Sequence, residues 1–329
     1  MKTILILICA SILFSVETFA QTYKELVAHA DTLYNLKDYN KSNEAYQQAF
    51  KLESNNPYDL YNAACSAALA GDLDDAFTFL DLAVHHGWTN IDHMKKDSDL
   101  DTLHSSAKWA SLLASTQKKL DDIEAKIDKP LQKELLTIFD EDQTTRRQSL
   151  EYAKQYGFEN ATIDSLRKVT FYKDSINLVK VINILDRYGW VGQEKVGTQA
   201  NQTIFLVIQH SDLTTQQKYL PIMRDAVRRG NAAASALALL EDRVALGEGR
   251  KQIYGSQIGR NQETNKYYVE PLEDPDNVDV RRSGVGLESL GNYVKRWDIV
   301  WSVEEYKKQL PQIEKWYREM IENNKSYWR

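Results

Sequence analysis

Residues 37–39 (Lys37-Asp38-Tyr39) and residues 71–73 (Gly71-Asp72-Leu73) each interrupt a helical apolar pattern, and they lie 34 residues apart. Other positions agree at the same offset: Leu26 with Leu60, Ala30 with Ala64, Tyr46 with Leu80, and Ala49 with Ala83. The alanines let paired helices approach closely, while Tyr46 and Leu80 fill the space between them. A fixed period of this length signals one supersecondary unit used twice. It predicts helices near 23–37, 40–52, 57–70 and 72–86, paired as two hairpins.

Two helix–turn–helix units of this length resemble tetratricopeptide repeats, although Ser42 stands where that family prefers alanine; Ala76 restores it in the second unit. The period then stops. His85-His86-Gly87-Trp88, Lys96 to Leu100 and Trp109 to Leu113 resemble the segment that closes short repeat arrays in many bacterial proteins. Such a cap is needed because an uncapped repeat exposes an apolar face. The resemblance places two repeats and a cap over residues 21–110 and implies a groove for a peptide or protein partner. His85, His86, His93 and His104 offer no tight helical pair, and Gly87 ends the helix carrying the first two, so no metal site is expected.

The whole chain has 329 residues, enough for two domains. Its 41 Lys+Arg against 47 Asp+Glu give a net charge of −6, so no chain-wide basic field points to nucleic acid. With only 14 Gly and 6 Pro, turn-rich all-β folds are disfavoured, and the expected class is mainly α. Met1-Lys2, the apolar run Thr3 to Val16 and Thr18-Phe19-Ala20 read as a signal peptide over residues 1–20, cut before Gln21. The run is shorter than the ~20 residues needed to span a bilayer. The expected mature protein is therefore exported, periplasmic or secreted, without a membrane span. It keeps one cysteine, Cys65.

Residues 111–129 read as a charged connecting helix, with a boundary at Lys129-Pro130, and residues 130–329 as a second, mostly helical domain. One apolar stripe there runs Leu131, Leu135, Ile138 and then Asp142; a second runs Leu136, Phe139, Gln143, Arg146 and Leu150. Asp142, Gln143 and Arg146 thus fall where helical spacing predicts core. A later helix, about 164–188, embeds Asp174 in the line Phe171, Leu178, Val181 and Leu185, with Asn177 beside it. A buried carboxylate needs partners, because desolvating an unpaired charge costs several kcal/mol; Arg146 is the candidate. The apolar run Ile204 to Ile208 fits either a buried helix or a strand, and its helical context favours helix. It leads to Gln209 and His210, the last histidine in the chain. Helices at about 214–229 and 231–246 follow, the second carrying Asp242 and Arg243. Residues 251–257 and 266–270 predict the two arms of a small β-hairpin near 251–270. Residues 281–286 read as loop, and 302–323 as a final helix.

Asp140-Glu141-Asp142-Gln143 with Arg146, Asp174 with Asn177, Tyr188-Gly189-Trp190, Val196-Gly197, Gln209-His210, Leu240-Glu241-Asp242-Arg243 and Tyr254-Gly255-Ser256-Gln257 form an ordered set. Together, over roughly residues 130–295, they resemble a bacterial domain family of unknown function often found behind tetratricopeptide repeats in exported Bacteroidetes-type proteins. Ser256 stands where threonine is expected and Val191 where proline is. The resemblance implies a shared site and supplies no activity. Phosphate-binding loops, nucleophile elbows, zinc-protease and EF-hand motifs are absent from the sequence, and no cofactor is called for. Two readings stay open. In the first, an interaction protein binds a partner through its repeats and a small polar ligand through Gln143, Arg146, Asp174, Asn177, Gln209, Gln252, Tyr254 and Gln257. In the second, a hydrolase-like enzyme uses His210 as general base with Asp142 or Asp242, and Arg243 for an anion.

Overall fold

At Lys37 and Gly71 the backbone makes the same left-handed turn, with φ of 61° and 85°. Lys37 N–H donates to Tyr34 C=O and Asp38 N–H to Leu33 C=O; Gly71 N–H donates to Ala68 C=O and Asp72 N–H to Ala67 C=O. This is one helix-terminating motif repeated at the sequence period. The computed structural model describes residues 21–157, 160–261 and 264–323; the expected signal peptide, residues 1–20, lies outside them. The chain divides into two units between Ala125 and Lys126.

In the first unit, α1 (Tyr23–Asn35), α2 (Tyr39–Phe50), α3 (Pro57–Ala70) and α4 (Leu73–His85) pair as two hairpins, followed by α5 (Ile91–Met94), a 3-10 turn (Ser98–Leu103) and α6 (Ala107–Glu124). Helix α3 sits at the centre. Asn56 caps its N-terminus, Pro57 opens it, and Leu60 to Ala68 are buried except for Asn62. Ala30, Ala49, Ala64 and Ala83 are all fully buried, as close helix approach requires. Ser42 is equally buried: its hydroxyl donates to Ala30 C=O at 2.9 Å and lies 2.9 Å from the Ser66 hydroxyl. The departure from alanine is thus answered by a second serine across the interface. Trp109 and Leu112 of α6 join the first core, so the charged segment begins as a layer of this unit.

The second unit opens with two long antiparallel helices, α7 (Lys129–Tyr156) and α8 (Ala161–Tyr188), each 28 residues. Asp128 caps α7, and Pro130 occupies its first turn. After α9 (Gln193–Val196), α10 (Thr198–Gln209) packs on α7 and α8, and α11 (Leu213–Arg228) pairs with α12 (Ala234–Gly247). The ambiguous run 204–208 is therefore helical. Leu135, Ile138, Val181, Ile184, Ile204, Ile208, Met223 and Leu240 form the main core. Phe171 lies 69 % exposed, off the apolar stripe assigned to it, because burial on α8 is concentrated from Asn177 onward apart from Ile163.

A smaller core follows, formed by β1 (Ile258–Arg260), β2 (Tyr267–Val269), α13 (Val278–Gly284), α14 (Leu290–Tyr293) and α15 (Val303–Asn323). The strands pair antiparallel, Ile258 opposite Val269. The first arm is thus 258–260; Gln252 makes only an isolated bridge with Leu272, and the amides of Ile253, Tyr254, Ser256 and Gln257 are taken by side chains, as described below, and cannot join a ladder. Residues 281–284, read as loop, belong to α13. Tyr306 and Tyr317 fasten α15: Leu272 N–H donates to the Tyr306 hydroxyl, which donates to Glu270 C=O, and the Tyr317 hydroxyl donates to Leu246 C=O. The protein is mainly α with one small hairpin, and among the described residues no helix is long and apolar enough to cross a membrane.

The buried serine pair gives a stability test. Ser42→Ala leaves the Ser66 hydroxyl short of a partner and should destabilise the protein by about 1 kcal/mol. The double variant Ser42→Ala/Ser66→Ala should lose less than the two single losses added together. Urea denaturation of the four proteins measures the cycle; strict additivity would show that the two hydroxyls do not interact.

Candidate functional site

The apolar stripe of α7 carries Asp142 into the interface with α10, where its side chain is 1 % exposed. Three groups answer it. His210, just past the end of α10, approaches Asp142 Oδ1 through Nδ1 at 3.0 Å. Gln143 Nε2 donates to Asp142 Oδ2 at 2.7 Å. Arg146 Nη1 donates to Asp142 Oδ1 at 3.2 Å and to its backbone carbonyl at 2.8 Å. Finally, α8 brings Asp174 to the other side of Arg146, with two guanidinium bonds of 2.9 and 2.8 Å. Such a two-pronged arginine–carboxylate bond fixes orientation as well as charge. Asn177, one helical turn beyond Asp174, is fully buried, and neither amide atom has a hydrogen-bond partner among the described residues. Gln209 adjoins His210, and its carbonyl accepts from Gln216 at 3.0 Å.

Burial pushes the His210 imidazole below its ordinary pKa; Arg146 and Arg243 push the same way, and the Asp142 bond opposes them without prevailing. Burial raises Asp142, but the His210 bond and charge, Arg146 and Gln143 together hold it below the usual carboxylate range. At neutral pH the pair is therefore a neutral imidazole on a carboxylate. Because a carboxylate only accepts, Nδ1 carries the proton and donates it, and Nε2 presents its lone pair.

Asp242 is fully buried but turns elsewhere. It accepts from the backbone N–H groups of Ile253, Tyr254 and Ser256 at 2.6, 2.9 and 2.9 Å. Burial nevertheless raises its pKa, against those three amides. Gln252 closes the same loop, donating to Gln257 C=O and Glu270 C=O and accepting from Gln257 N–H. The Gln257 side chain donates to Ser256 Oγ at 3.0 Å. Thus Asp242, Gln252, Tyr254 and Gln257 share a loop clamp, while Asp142, Gln143, Arg146, Asp174 and His210 share the α7–α8–α10 network. Arg243 joins the second set through its electrostatic effect on His210.

Sequence reading missed two residues of the clamp. Arg282 is 1 % exposed, donates to Glu288 C=O and Tyr254 C=O at 2.6 and 2.7 Å, and stacks over Tyr293 at 4.8 Å. Arg281 donates to Ile253 C=O at 2.9 Å. Their acceptors are mostly backbone carbonyls, which leave no mark in the sequence. Glu270 is also buried, and its carboxyl is pushed up to about 8 by burial.

A cavity of about 370 Å³ along the first half of α10 is lined by Trp190, Asn201, Phe205, Met223 and Ser235, and by none of the site residues inferred from sequence. Among the described residues, one group of three ligand-type side chains could hold a metal: Cys65, Asp97 and Asp99 of the first unit, within 4.8 Å of one another. Burial raises the Cys65 pKa far above its ordinary value, leaving a protonated thiol.

These elements define a class: a helical domain built around a carboxylate–imidazole–guanidinium network. Residues 129–304 match a family described as a family of unknown function, DUF6624. The match spans more than half of the chain, and the chain belongs to that family. No curated protein and no solved structure matches it.

His210 can be followed without a substrate. Its depressed pKa adds stability that is complete above about pH 6.5, the unfolded value, and is lost as pH falls toward the folded one. Side-chain NMR titration should find its midpoint below 6.5. Asp142→Asn should lower that midpoint further and Arg243→Gln should raise it. A midpoint above 6.5 in the unaltered protein would contradict the charge assignment.

Proposed function

We propose that the family domain is a hydrolase-like enzyme in which His210 is the general base. The observation that carries this reading is the Asp142–His210 hydrogen bond, with Arg146 and Asp174 fixing the carboxylate in turn. Asp142 orients the imidazole and keeps the proton on Nδ1. Nε2 then takes a proton from water or a substrate hydroxyl as it attacks. Arg243, near His210, offsets negative charge developing on the substrate. Asp242 acts in this scheme as a positioning residue through its loop. The low pKa of His210 suits a base at neutral pH.

The first unit supports a second activity. Its two hairpins, related by 34 residues in sequence and in terminating turns, fit tetratricopeptide repeats, whose grooves take a peptide or protein partner. The N-terminal sequence fits export to the periplasm or medium, so the chain would couple partner capture to chemistry on a polar ligand outside the cytoplasm.

Turnover of chromogenic esters, phosphoesters, glycosides and peptide amides by the full chain tests the enzyme reading. His210→Ala should lower the rate on any accepted substrate by roughly 10²–10⁴, with Asp142→Asn also impaired and the fold retained by circular dichroism. Turnover indifferent to His210→Ala would remove the base, and no turnover across the panel would leave a binding domain.

A further inference from the structure

The first unit holds a cavity of about 700 Å³, lined from α1, α2, α3, α5 and the 3-10 turn Ser98–Leu103 with the loops beside them. Its wall is aromatic. The Tyr61 and Trp88 rings stack face to face, 4.2 Å apart and 4° from parallel, with His93 5.4 Å from Tyr61. Its charge is negative: Asp31, Asp97 and Asp99 line the cavity, and no lysine or arginine does among the described residues. Each carboxylate is held by a tyrosine, Tyr46 to Asp31, Tyr61 to Asp97 and Tyr34 to Asp99. A neutral hydroxyl positions a carboxylate without cancelling its charge. The three acids therefore line one concave surface on which, among the described residues, His93, 3.4 Å from Asp97, is the only potential cation.

Aromatic faces and fixed carboxylates favour the same guest, because a cation is attracted by the ring quadrupole and by the acids alike. We infer that this cavity binds a cationic side chain, lysine or arginine, of an extended peptide. The inference rests on reading the unit as peptide-binding repeats and specifies the charge of what they take.

Fluorescence anisotropy on the full chain tests this with labelled Gly-Lys-Gly-Lys-Gly and its glutamate and serine counterparts. The lysine peptide should bind, more weakly as salt rises, and the other two should not. Asp97→Asn/Asp99→Asn, which keeps an oxygen for each tyrosine, should weaken binding at least about tenfold. Asp31→Asn, on a different helix, serves as a second variant should the first melt early. Equal binding of the serine or glutamate peptide would overturn the charge inference while keeping the peptide groove. Binding of no peptide would remove both. Lysine-peptide binding untouched by the variants would place it elsewhere. Zinc or calcium binding lost in the double variant, without lysine-peptide binding, would make the cavity a metal site.

Discussion

A carboxylate as enclosed as that of Asp142 cannot stay charged unless donors surround it, since losing hydration costs several kcal/mol. Much of the second unit is arranged to meet that demand. Helix α7 supplies the adjacent Gln143 and, one turn on, Arg146; α8 supplies Asp174 to balance the guanidinium, and α10 ends where His210, just past it, can reach across. The alternative, an apolar residue at 142, would pack the helices at least as well. What it would lack is a reason for the imidazole to hold one tautomer and one direction.

The architecture was legible because it rests on periodicity. The 34-residue repeat appears in sequence as matched alanines and in structure as matched left-handed turns. Asp142 and Arg146 were legible for the same reason, as polar residues at helical core spacing, and the Arg146–Asp174 bond joins two candidates chosen on that ground. Periodicity said nothing about which polar residues would meet. Asp242 and His210 look alike as isolated candidates, yet one binds backbone amides eleven to fourteen residues away and the other binds a side chain. Main-chain partners belong to every residue type, so no sequence pattern announces them. The same blindness hid Arg282 and shifted the first hairpin arm.

Helix α12 divides its work between neighbours. Asp242 and Arg243 are adjacent, so their side chains leave the helix about 100° apart. One grips the loop 253–256 and the other adds, after Arg146, to the positive field at His210. The loop clamp and the imidazole thus share a rigid support although no hydrogen bond joins them directly. Both arginines next to the clamp, Arg281 and Arg282, donate to its carbonyls, which leaves the loop held from its amide side by one carboxylate and from its carbonyl side by two cations.

The family match stops at residue 304, the second residue of α15, whose Tyr306, Ile313 and Tyr317 are buried. A chain ended at that point would leave Leu272 N–H and the carbonyls of Glu270 and Leu246 without their hydroxyl partners, and would uncover the face of the small core on which the helix rests. The family match and the physical integrity of the fold therefore draw different borders on this domain. The helix beyond residue 304 closes the small core, and a dissection of the protein that respects folding has to carry it.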